Sequence, residues 1–359
     1  MTARFYIPDQ DIKNSKILKF VVVEGKLSDI YYNGFPASSY NNIVWSAFPH
    51  LKGHTLNMRD IEQGLDQINR LQSAHAQSEF LPGREEGSII VNINNHSDQT
   101  LRVAVSHDNM GQASTGYARY SASLKVENIL SCNDARNFGY QRSEPDYWGG
   151  SKQEGHSNNI SVNISIPYGY WTFYFSGYTY NYQSIINGNF TDIETTGNSS
   201  ELHGGASYVL HRDNVFLSTL NFRLSYKKTN NYFLGNKIEV GSRQYSIASF
   251  GLSHSRQMFG GTWTFEANYL QGLRWFHSVK KHEPGAGDAE PRFAKFTGTL
   301  SIMTPFKVGG LEFIFGTLLM ATQLLEEGFK YSNDSYKTML SKSIPSPWWI
   351  VMKRERSSI

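Results

Sequence analysis

The amino-acid sequence predicts a mainly β protein with a small α+β part towards its N-terminal end. Three observations support this fold class. Residues 101–310 hold 23 of the 31 glycines and 33 of the 50 aromatic residues. The same region repeats an apolar–polar alternation of period two, which is the pattern of half-buried strands. Residues 1–100 contain the clearest amphipathic helix of the chain, placed between segments that have the pattern of strands.

The overall composition excludes several classes of protein. The 359 residues carry 34 Lys and Arg against 31 Asp and Glu, which is far less basic than a nucleic-acid-binding protein requires. A disordered chain would lack the many aromatic residues. The single cysteine, Cys132, excludes an internal disulfide and a multi-cysteine zinc site. No apolar run reaches the length of about 18 residues that a transmembrane helix needs, and the first residues lack the apolar core of a signal peptide.

The first hundred residues have the pattern of a small α+β module. Strands are predicted at Lys16–Gly25 and Leu27–Tyr32, and again at Ser78–Leu81 and Ser88–Ile93 around the turn Pro82-Gly83. A helix is predicted between the two pairs of strands. This order of elements is typical of a sheet with a helix packed on one face.

The helix is predicted over Leu56–Leu71. Asn57 is of the residue type that caps helix N-termini. Gly64 is unfavourable inside a helix and therefore indicates close packing against a neighbouring element. The positions that share the apolar side are Leu56, Ile61, Leu65, Ile68 and Leu71.

Residues 101–310 are predicted to form nine or ten strands. The tight turn Pro167-Tyr168-Gly169 joins two of them. Glycine clusters at Thr196-Gly197-Asn198, His203-Gly204-Gly205 and Gly260-Gly261 are predicted as further turns. The apolar positions of the alternating segments include Leu124, Val126, Ile160, Ile164, Phe173, Phe175, Phe222, Leu224, Phe265 and Phe296.

The alternation leaves two architectures open. A soluble β-sandwich packs the apolar face against a second sheet, whereas a membrane barrel turns that face to lipid. Several segments extend to about ten residues, which is longer than the usual sandwich strand and close to the bilayer requirement. The polar face also carries charges in mid-strand, such as Lys125, Arg223 and Glu266. A hydrated lumen permits such charges, so the pattern favours the barrel over the sandwich.

The residues around the helix resemble a known family. The stretch AFPHLKGHTLNMRDIEQGLDQINRL (47–71), followed by FLPG (80–83) and GSIIVNI (87–93), is similar to the second polypeptide-transport-associated (POTRA) domain of two-partner secretion transporters. These are the TpsB-type haemolysin secretion/activation proteins of Gram-negative outer membranes. His107–Gly111 and Ser114–Gly116 are similar to the family's transition into its first barrel strands. The helix with its flanking prolines and glycines is the specific part of this resemblance.

The resemblance implies four parts in the chain. They are the end of a first POTRA domain over 1–35, the second POTRA domain over 40–98, the N-terminal part of a transmembrane β-barrel over 99–310, and a divergent tail over 311–359. The implied fold is mainly β with a small α+β part, in which periplasmic POTRA domains precede an incomplete antiparallel barrel. The implied location is the cell outer membrane, with the N-terminal domains in the periplasm.

The resemblance also implies a function. Family members move one cognate exoprotein of the haemolysin or adhesin type across the outer membrane without ATP. The POTRA domains bind the unfolded partner and the barrel conducts it, and an extended peptide can bind a sheet edge by β-augmentation. The implied partners are therefore a secreted exoprotein and outer-membrane lipid, with no nucleic acid and no small-molecule substrate.

The candidate partner-binding residues follow from this implied role. The helix and the strand Ser88–Asn94 are expected to border the binding groove, and exposed polar side chains of the helix are expected to contact the partner. The alternative is that these side chains only solvate the helix face. The candidates are Arg59, Gln63, Asp66, Gln67, Ile89 and Val91.

The sequence also departs from the family pattern. A signal sequence, the N-terminal plug helix, most of the first POTRA domain and the Val-Arg-Gly motif of the lumenal loop are not found. From residue 311 onward the alternation is not sustained, and the last residue is not the usual aromatic. These departures lead to the hypothesis that the tail is read out of frame or is unrelated sequence, and that the chain is a partial or non-functional fragment.

Residue patterns of catalytic, metal or cofactor sites are not found. The eleven histidines form no ligand cluster, and His50 and His54 flank a loop. Gly285-Ala286-Gly287 lacks the strand and helix of a nucleotide-binding fingerprint, and Cys132 has no histidine close in sequence. The chain is therefore predicted not to be an enzyme and to use no cofactor. The alternative to a transporter is a soluble or periplasmic peptide-binding module without transport activity.

Overall fold

The computed structural model describes residues 3–8, 10, 19–37, 41–85, 87–145, 155–186, 191–276, 293–308, 311–325 and 351–353. The chain divides into two compact units. The first unit comprises Met1–Val103, Leu124–Asn137 and Ile164–Phe173. The second comprises Ala104–Ser123, Phe138–Asn163 and Tyr174–Ile359.

The first unit contains two small sheets and two helices among its described residues. The helices are α1 (Asn42–Ala47) and α2 (Met58–Asn69). The pair of strands β1 (Ala3–Tyr6) and β2 (Val21–Glu24) is antiparallel. A second sheet has the order β4-β3-β6-β5 and consists of β3 (Lys26–Tyr32), β4 (Phe35–Pro36), β5 (Ala74–Pro82) and β6 (Ser88–Ser97). Neither helix is long and apolar enough to cross a membrane.

The start of this second sheet differs from the sequence-based division. The sequence predicts the end of a first POTRA domain over 1–35 and a second POTRA domain over 40–98. The structure pairs β3 in parallel with β6, from Lys26↔Ser88 to Tyr32↔Ile93, so the four-stranded sheet begins at Lys26. The pairing joins residues about sixty positions apart, and local sequence patterns do not report contacts at such separations.

The apolar side of α2 forms the core of the four-stranded domain. Ile61 and Ile68 are buried against strand residues such as Val91 and Ile93. The predicted cap is confirmed, since the Asn57 side chain accepts a hydrogen bond from the Arg59 N–H group at 3.2 Å. The predicted helix over Leu56–Leu71 is also confirmed, although its first two and last two residues lie outside the helical turns.

The close packing predicted at Gly64 is confirmed. A Cβ atom at this position would overlap the ring of Phe48, which is itself buried. The two helices can approach each other this closely only because residue 64 has no side chain. Glycine lowers the helix propensity of α2 at this position, but it allows the close packing against Phe48.

The remaining strands of the described chain form one large antiparallel sheet. Between 101 and 310 it has ten strands of at least eight residues, which confirms the predicted nine or ten. Its order follows the chain as an up-and-down meander, with β14 as a short addition to β13. The strands are β7 (Leu101–Asp108), β8 (Ala118–Glu127), β9 (Ala135–Glu144), β10 (His156–Tyr168), β11 (Trp171–Ile186), β12 (Ile193–Arg212), β13 (Phe216–Phe233), β14 (Asn236–Lys237), β15 (Arg243–Met258), β16 (Gly261–Leu273), β17 (Ala294–Val308), β18 (Leu311–Leu325) and β19 (Val351–Lys353).

The apolar face of this sheet is exposed. Phe173 is 49% exposed, Phe222 46% and Phe265 45%, although the alternation assigns all three to the apolar face. A soluble sandwich would cover such side chains with a second sheet. Long strands with an exposed apolar face fit a sheet that faces lipid. The barrel interpretation is therefore favoured over the sandwich by the structure as well as by the sequence.

Two predicted turns are wrong. Thr196-Gly197-Asn198 and His203-Gly204-Gly205 lie inside β12 and pair along their whole length with β13. The glycines make room for aromatic rings of the neighbouring strand, because a Cβ atom at Gly197 would overlap Tyr182 and one at Gly205 would overlap Tyr174. Glycine in a strand thus marks a close approach here rather than a turn. The turns at Gly169 and Gly260 are confirmed, both with positive φ.

The large sheet continues past residue 310, where the sequence places the start of the divergent tail. β18 pairs with β17 from Val308↔Leu311 to Ala294↔Leu325. Alternation is weak in β18 because apolar residues occupy both faces, as in Leu318 and Leu319, yet backbone pairing does not depend on alternation. The rest of the predicted tail, apart from β19, lies outside the described residues.

Candidate functional site

The candidate site is the outer edge of β5 in the four-stranded sheet. β5 pairs with β6 from Ala74↔Ser97 to Pro82↔Ile89, and its other side carries no strand among the described residues. An unpaired edge presents backbone N–H and C=O groups that can pair with an added strand. β5 is therefore the part of this sheet that can bind an extended peptide.

The backbone groups of alternate residues face this edge. On β6, the Ile93 carbonyl accepts from Asn33 on the β3 side, so Ile93 does not bond to its partner Ser78. Since antiparallel ladders alternate between bonded and non-bonded pairs, Ala76, Ser78 and Phe80 direct their N–H and C=O groups outwards. Phe80 is also exposed through its side chain, at 41%.

Asn69, the last residue of α2, already occupies one of these positions. Its Oδ1 atom accepts from the Ala76 N–H group at 2.6 Å, and its Nδ2 atom donates to the Ala76 carbonyl at 2.9 Å. The side-chain amide thus makes both bonds that a neighbouring strand would make at Ala76. The open stretch of the edge accordingly begins at Ser78 and ends near Pro82, which has no N–H group.

The sequence-predicted partner-binding residues do not form one surface. Arg59 and Asp66 are exposed on α2, as expected. Ile89 is half-buried and packs against the core of the domain. Val91 is fully buried in that core, so the expectation that it borders an open groove is wrong. The alternation along β6 turns Val91 inwards, towards α2.

The expectation that Gln63 and Gln67 are exposed is also wrong. Both are 4% exposed, and their Nε2 atoms donate to the same Gly169 carbonyl at 3.2 and 2.8 Å. Gln67 donates in addition to the Trp171 carbonyl and the Thr172 hydroxyl, both at 3.3 Å. Because residues four apart lie on one side of a helix, both side-chain amides can donate to the same carbonyl. They hold the turn between β10 and β11 and are not free for a partner.

Helix α1 also contacts the turn between β10 and β11. The Gly169 N–H group donates to the Ser46 carbonyl at 2.7 Å, and the rings of Trp45 and Tyr168 lie 4.8 Å apart. Ser46 also accepts, through its hydroxyl, from the side chain of Asn133 in the turn between β8 and β9 at 2.8 Å. Both helices of the domain are therefore tied to strand-joining turns of the first unit.

Arg70 follows α2 and bonds to strand β10 and to the turn between β8 and β9. Its guanidinium donates to the Ser165 hydroxyl at 2.7 Å and to the Asn133 carbonyl at 2.6 Å. Burial lowers the pKa of the Arg70 guanidinium from its usual value, and the carboxylates of Asp134 and Glu127 oppose this shift. The charge is therefore kept in place by acidic groups of the same unit.

Glu127, at the end of β8, is a deeply buried carboxylate, with 1% exposure. Its oxygens accept from the N–H groups of Gln72 and Ser73 at 3.2 and 2.9 Å, in the segment that follows α2. Lys125 lies 2.8 Å and Arg102 3.4 Å from the carboxylate. Two backbone donors and two cations compensate the buried charge, which fixes the end of α2 in position.

Replacing Gln67 with alanine tests the contribution of its hydrogen bond to the Gly169 carbonyl. We expect the first unit to lose about 1–2 kcal/mol of unfolding free energy, because a buried carbonyl loses its shorter hydrogen bond. The urea midpoint measured by pulse proteolysis reports this loss. The control is Gln77→Ala on the exposed face of β5, which should change stability by less than about 0.5 kcal/mol. Equal effects of the two variants would contradict the assigned role.

The comparisons with known proteins agree with this architecture. The family model described as haemolysin secretion/activation protein ShlB/FhaC/HecB matches residues 87–323, and a POTRA domain model matches residues 36–82. The chain belongs to the haemolysin secretion/activation protein family. The POTRA match covers both helices and the whole of β5 of the four-stranded domain, which confirms the resemblance drawn from the helix segment.

Individual relatives of this family show the same relationship. The chain is 30% identical to the outer membrane transporter CdiB of Dickeya dadantii, over 85% of this chain and 53% of that protein. It is 26% identical to the haemolysin transporter protein ShlB of Serratia marcescens, over 87% of this chain and 52% of that protein. The chain thus spans about half the length of the curated relatives it matches.

A solved structure of the same family confirms the fold. CdiB from Escherichia coli superposes with a TM-score of 0.79 at 27% identity, covering 89% of this chain and 58% of that one. The mainly β fold class, with an N-terminal POTRA domain and a large antiparallel sheet of an outer-membrane barrel, is therefore confirmed. The relatives' outer-membrane location agrees with the predicted location. The family is one of secretion proteins and not of enzymes.

The residues that sequence reasoning missed are those of the β5 edge. Asn69, Ser78 and Phe80 are unremarkable in the sequence, because an edge is defined by which strands pair and not by local composition. Pro82 at the strand end is the one local signal, since proline in sheets is confined to edges, bulges and strand ends. Uncharged amides at Gln63 and Gln67, four apart among charged residues, were a signal for buried hydrogen bonds.

Proposed function

We propose that this chain takes part in moving an unfolded exoprotein of the haemolysin or adhesin type across the outer membrane. In this proposal the POTRA domain binds the partner and the barrel conducts it. The observation that carries the proposal is the open edge of β5 between Ser78 and Pro82. Membership of a secretion protein family supports the same function.

The β5 edge is suited to an unfolded partner because it offers backbone groups. Backbone hydrogen bonds do not depend on the partner's sequence, so successive segments of one long chain can pair with the same edge. Affinity from only two or three open residues is modest, which permits release during transport. Arg59 and Asp66, exposed on α2, and half-buried Ile89 remain candidates for side-chain contacts to the partner.

The polar face of the large sheet supports a water-filled path. The Tyr178 hydroxyl donates to Glu201 at 3.2 Å, and Lys227 lies 3.8 Å from the same carboxylate. Arg223 lies over the ring of Tyr174, with 5.8 Å between the guanidinium carbon and the ring centroid. Charges of both signs on this face, opposite an apolar face turned to lipid, are typical of a barrel lumen.

The alternative of a soluble peptide-binding module is disfavoured by the exposed apolar face. Phe173, Phe175 and Phe222 lie on that face and are each more than 40% exposed. A large exposed apolar face in water favours aggregation, whereas in an outer membrane it contacts lipid. We therefore include outer-membrane lipid among the partners and assign the chain no enzymatic activity, no cofactor, no nucleic acid and no small-molecule substrate.

Replacing Ser78 with proline tests the edge directly. Proline removes the outward N–H group but is tolerated on an edge strand, so the domain should still fold. We expect secretion of the exoprotein by the complete transporter to fall about tenfold or more, because strand addition loses a hydrogen bond and meets the proline ring. The measurement is the exoprotein in the medium relative to that in the cells.

The matched control is Ser78→Ala, which leaves the backbone unchanged. It should secrete as the unmodified transporter does. If Ser78→Pro secretes normally while both variants reach the outer membrane in equal amounts, the β5 edge is not the site that binds the partner.

A further inference from the structure

Asn69 makes an unusual contact for a helix residue beside a sheet. Through one side-chain amide it accepts from the Ala76 N–H group at 2.6 Å and donates to the Ala76 carbonyl at 2.9 Å. This is the pair of hydrogen bonds that an added strand would make at Ala76. The amide therefore stands where the backbone of such a strand would lie.

The contact divides the β5 edge into a closed and an open part. Ala74, closer to the start of β5, donates its N–H group to the Leu71 carbonyl at 3.3 Å, so the residues up to Ala76 are occupied by the end of α2. Ser78 and Phe80 have no such partner on the outer side among the described residues. The change from closed to open falls between Ala76 and Ser78.

We propose that Asn69 is a stop that sets the register in which an extended peptide adds to β5. The proposal rests on the proposed function, in which this edge binds an unfolded partner. The added strand pairs with Ser78 and Phe80 and ends at Asn69, because pairing at Ala76 requires both amide bonds to break. A fixed end point positions each bound segment at the same place relative to α2.

The two sides of the open stretch define the peptide that fits. Phe80 presents an exposed ring on one side of β5, whereas Glu79 presents a carboxylate on the other. Successive residues of an added strand face these two sides in turn. A segment that alternates small apolar with uncharged polar residues matches this environment, so a peptide of alternating valine and threonine is a suitable probe.

Disulfide trapping measures the register. In a Cys132→Ser background, one cysteine is placed at Gln77, between Ala76 and Ser78, or at Glu79, between Ser78 and Phe80; both are exposed and lie at positions where an added strand brings Cα atoms close. The probe is a peptide of about five residues with one central cysteine, so that in the register centred on position 79 it does not reach Ala76. We expect trapping at position 79 to exceed trapping at position 77 by about tenfold, since the two amide bonds of Asn69 to Ala76 oppose the second register.

Removal of the stop should abolish this preference. In Asn69→Ala we expect trapping at position 77 to rise about tenfold, whereas Asn69→Asp, which retains the acceptor but not the donor, should give an intermediate value. The matched control is Asn95→Ala. It removes the acceptor of the His75 N–H group on β5, at 3.0 Å, together with the Asn95 amide bonds to Tyr32 and Ser97, and leaves the outer edge intact. It should trap as the parent does.

The possible results separate the stop from the binding edge. If the peptide is trapped at position 79 in the parent and Asn69→Ala does not raise trapping at position 77, strand addition is supported but Asn69 is not a stop. Equal trapping at both positions in the parent would likewise overturn the stop. If a peptide with proline at alternate positions traps at position 79 as well as the probe does, strand addition itself is overturned, and the stop with it.

Discussion

Replacing Glu127 with alanine is expected to lower the unfolding free energy of the first unit by about 3 kcal/mol. The carboxylate is 1% exposed and accepts from the N–H groups of Gln72 and Ser73, with Lys125 at 2.8 Å. Its loss leaves the buried N–H group of Ser73 and the partly buried N–H group of Gln72 without this acceptor, and two cations without their counter-charge. The Lys125 and Arg102 side chains are about a third exposed, so water partly replaces their interaction with the carboxylate. The loss of unfolding free energy therefore stays near the lower end of the range for buried ion pairs.

Glu127→Gln should cost roughly half as much, because the amide oxygen still accepts one of the two backbone bonds. The control is Lys52→Ala, which breaks the more exposed ion pair of 3.0 Å with Asp29 in the same unit and should cost less than about 1 kcal/mol. Urea titration with pulse proteolysis of the membrane-embedded protein measures all three variants. If Glu127→Ala costs no more than Lys52→Ala, the carboxylate does not hold the end of α2.

Replacing Gly64 with valine is expected to destabilise the same unit by about 3 kcal/mol. A Cβ atom at this position overlaps the Phe48 ring, which is 4% exposed and cannot move into solvent without exposing the core. The valine methyl groups add to the overlap, and β-branching lowers helix propensity slightly. The loss should appear as a lower urea midpoint with an unchanged slope.

Arg59→Val serves as the control for helix propensity, because Arg59 is exposed on the same helix, and it should cost about 0.5 kcal/mol or less. Adding Phe48→Leu to Gly64→Val should recover about 1 kcal/mol relative to the sum of the single effects, since the smaller side chain leaves room. Additive effects of the two substitutions would show that the loss at residue 64 does not arise from Phe48.

The sequence predicted the helices and strands of this fold well, but not which strands pair with each other. Alternation located β8, β10, β11, β13, β16 and β17, and helical periodicity located α2 together with its cap and its apolar side. The parallel pairing of β3 with β6, however, depends on contacts between distant residues. The division at residue 35 and the identity of the edge strand were therefore not accessible.

The candidate site was predicted only in outline. Periodicity placed Gln63 and Gln67 on the polar side of α2, and the structure shows that these two side chains are buried by a turn about a hundred residues away. The resemblance pointed to the right module, strand addition to it stays a prediction, and Val91 is a core residue. The edge at Ser78 and the amide of Asn69 emerge only when the sheet order is known.

Hydrogen exchange at the β5 edge tests the central claim most directly. The measurement compares backbone amide exchange in the membrane-embedded protein with and without peptides that tile the cognate exoprotein. We expect some of these peptides to slow exchange about tenfold at Ser78 and Phe80, because an added strand bonds to their N–H groups, and to leave Ala76 unchanged. Exchange at Ser78 and Phe80 that no peptide alters would contradict binding of the exoprotein at this edge.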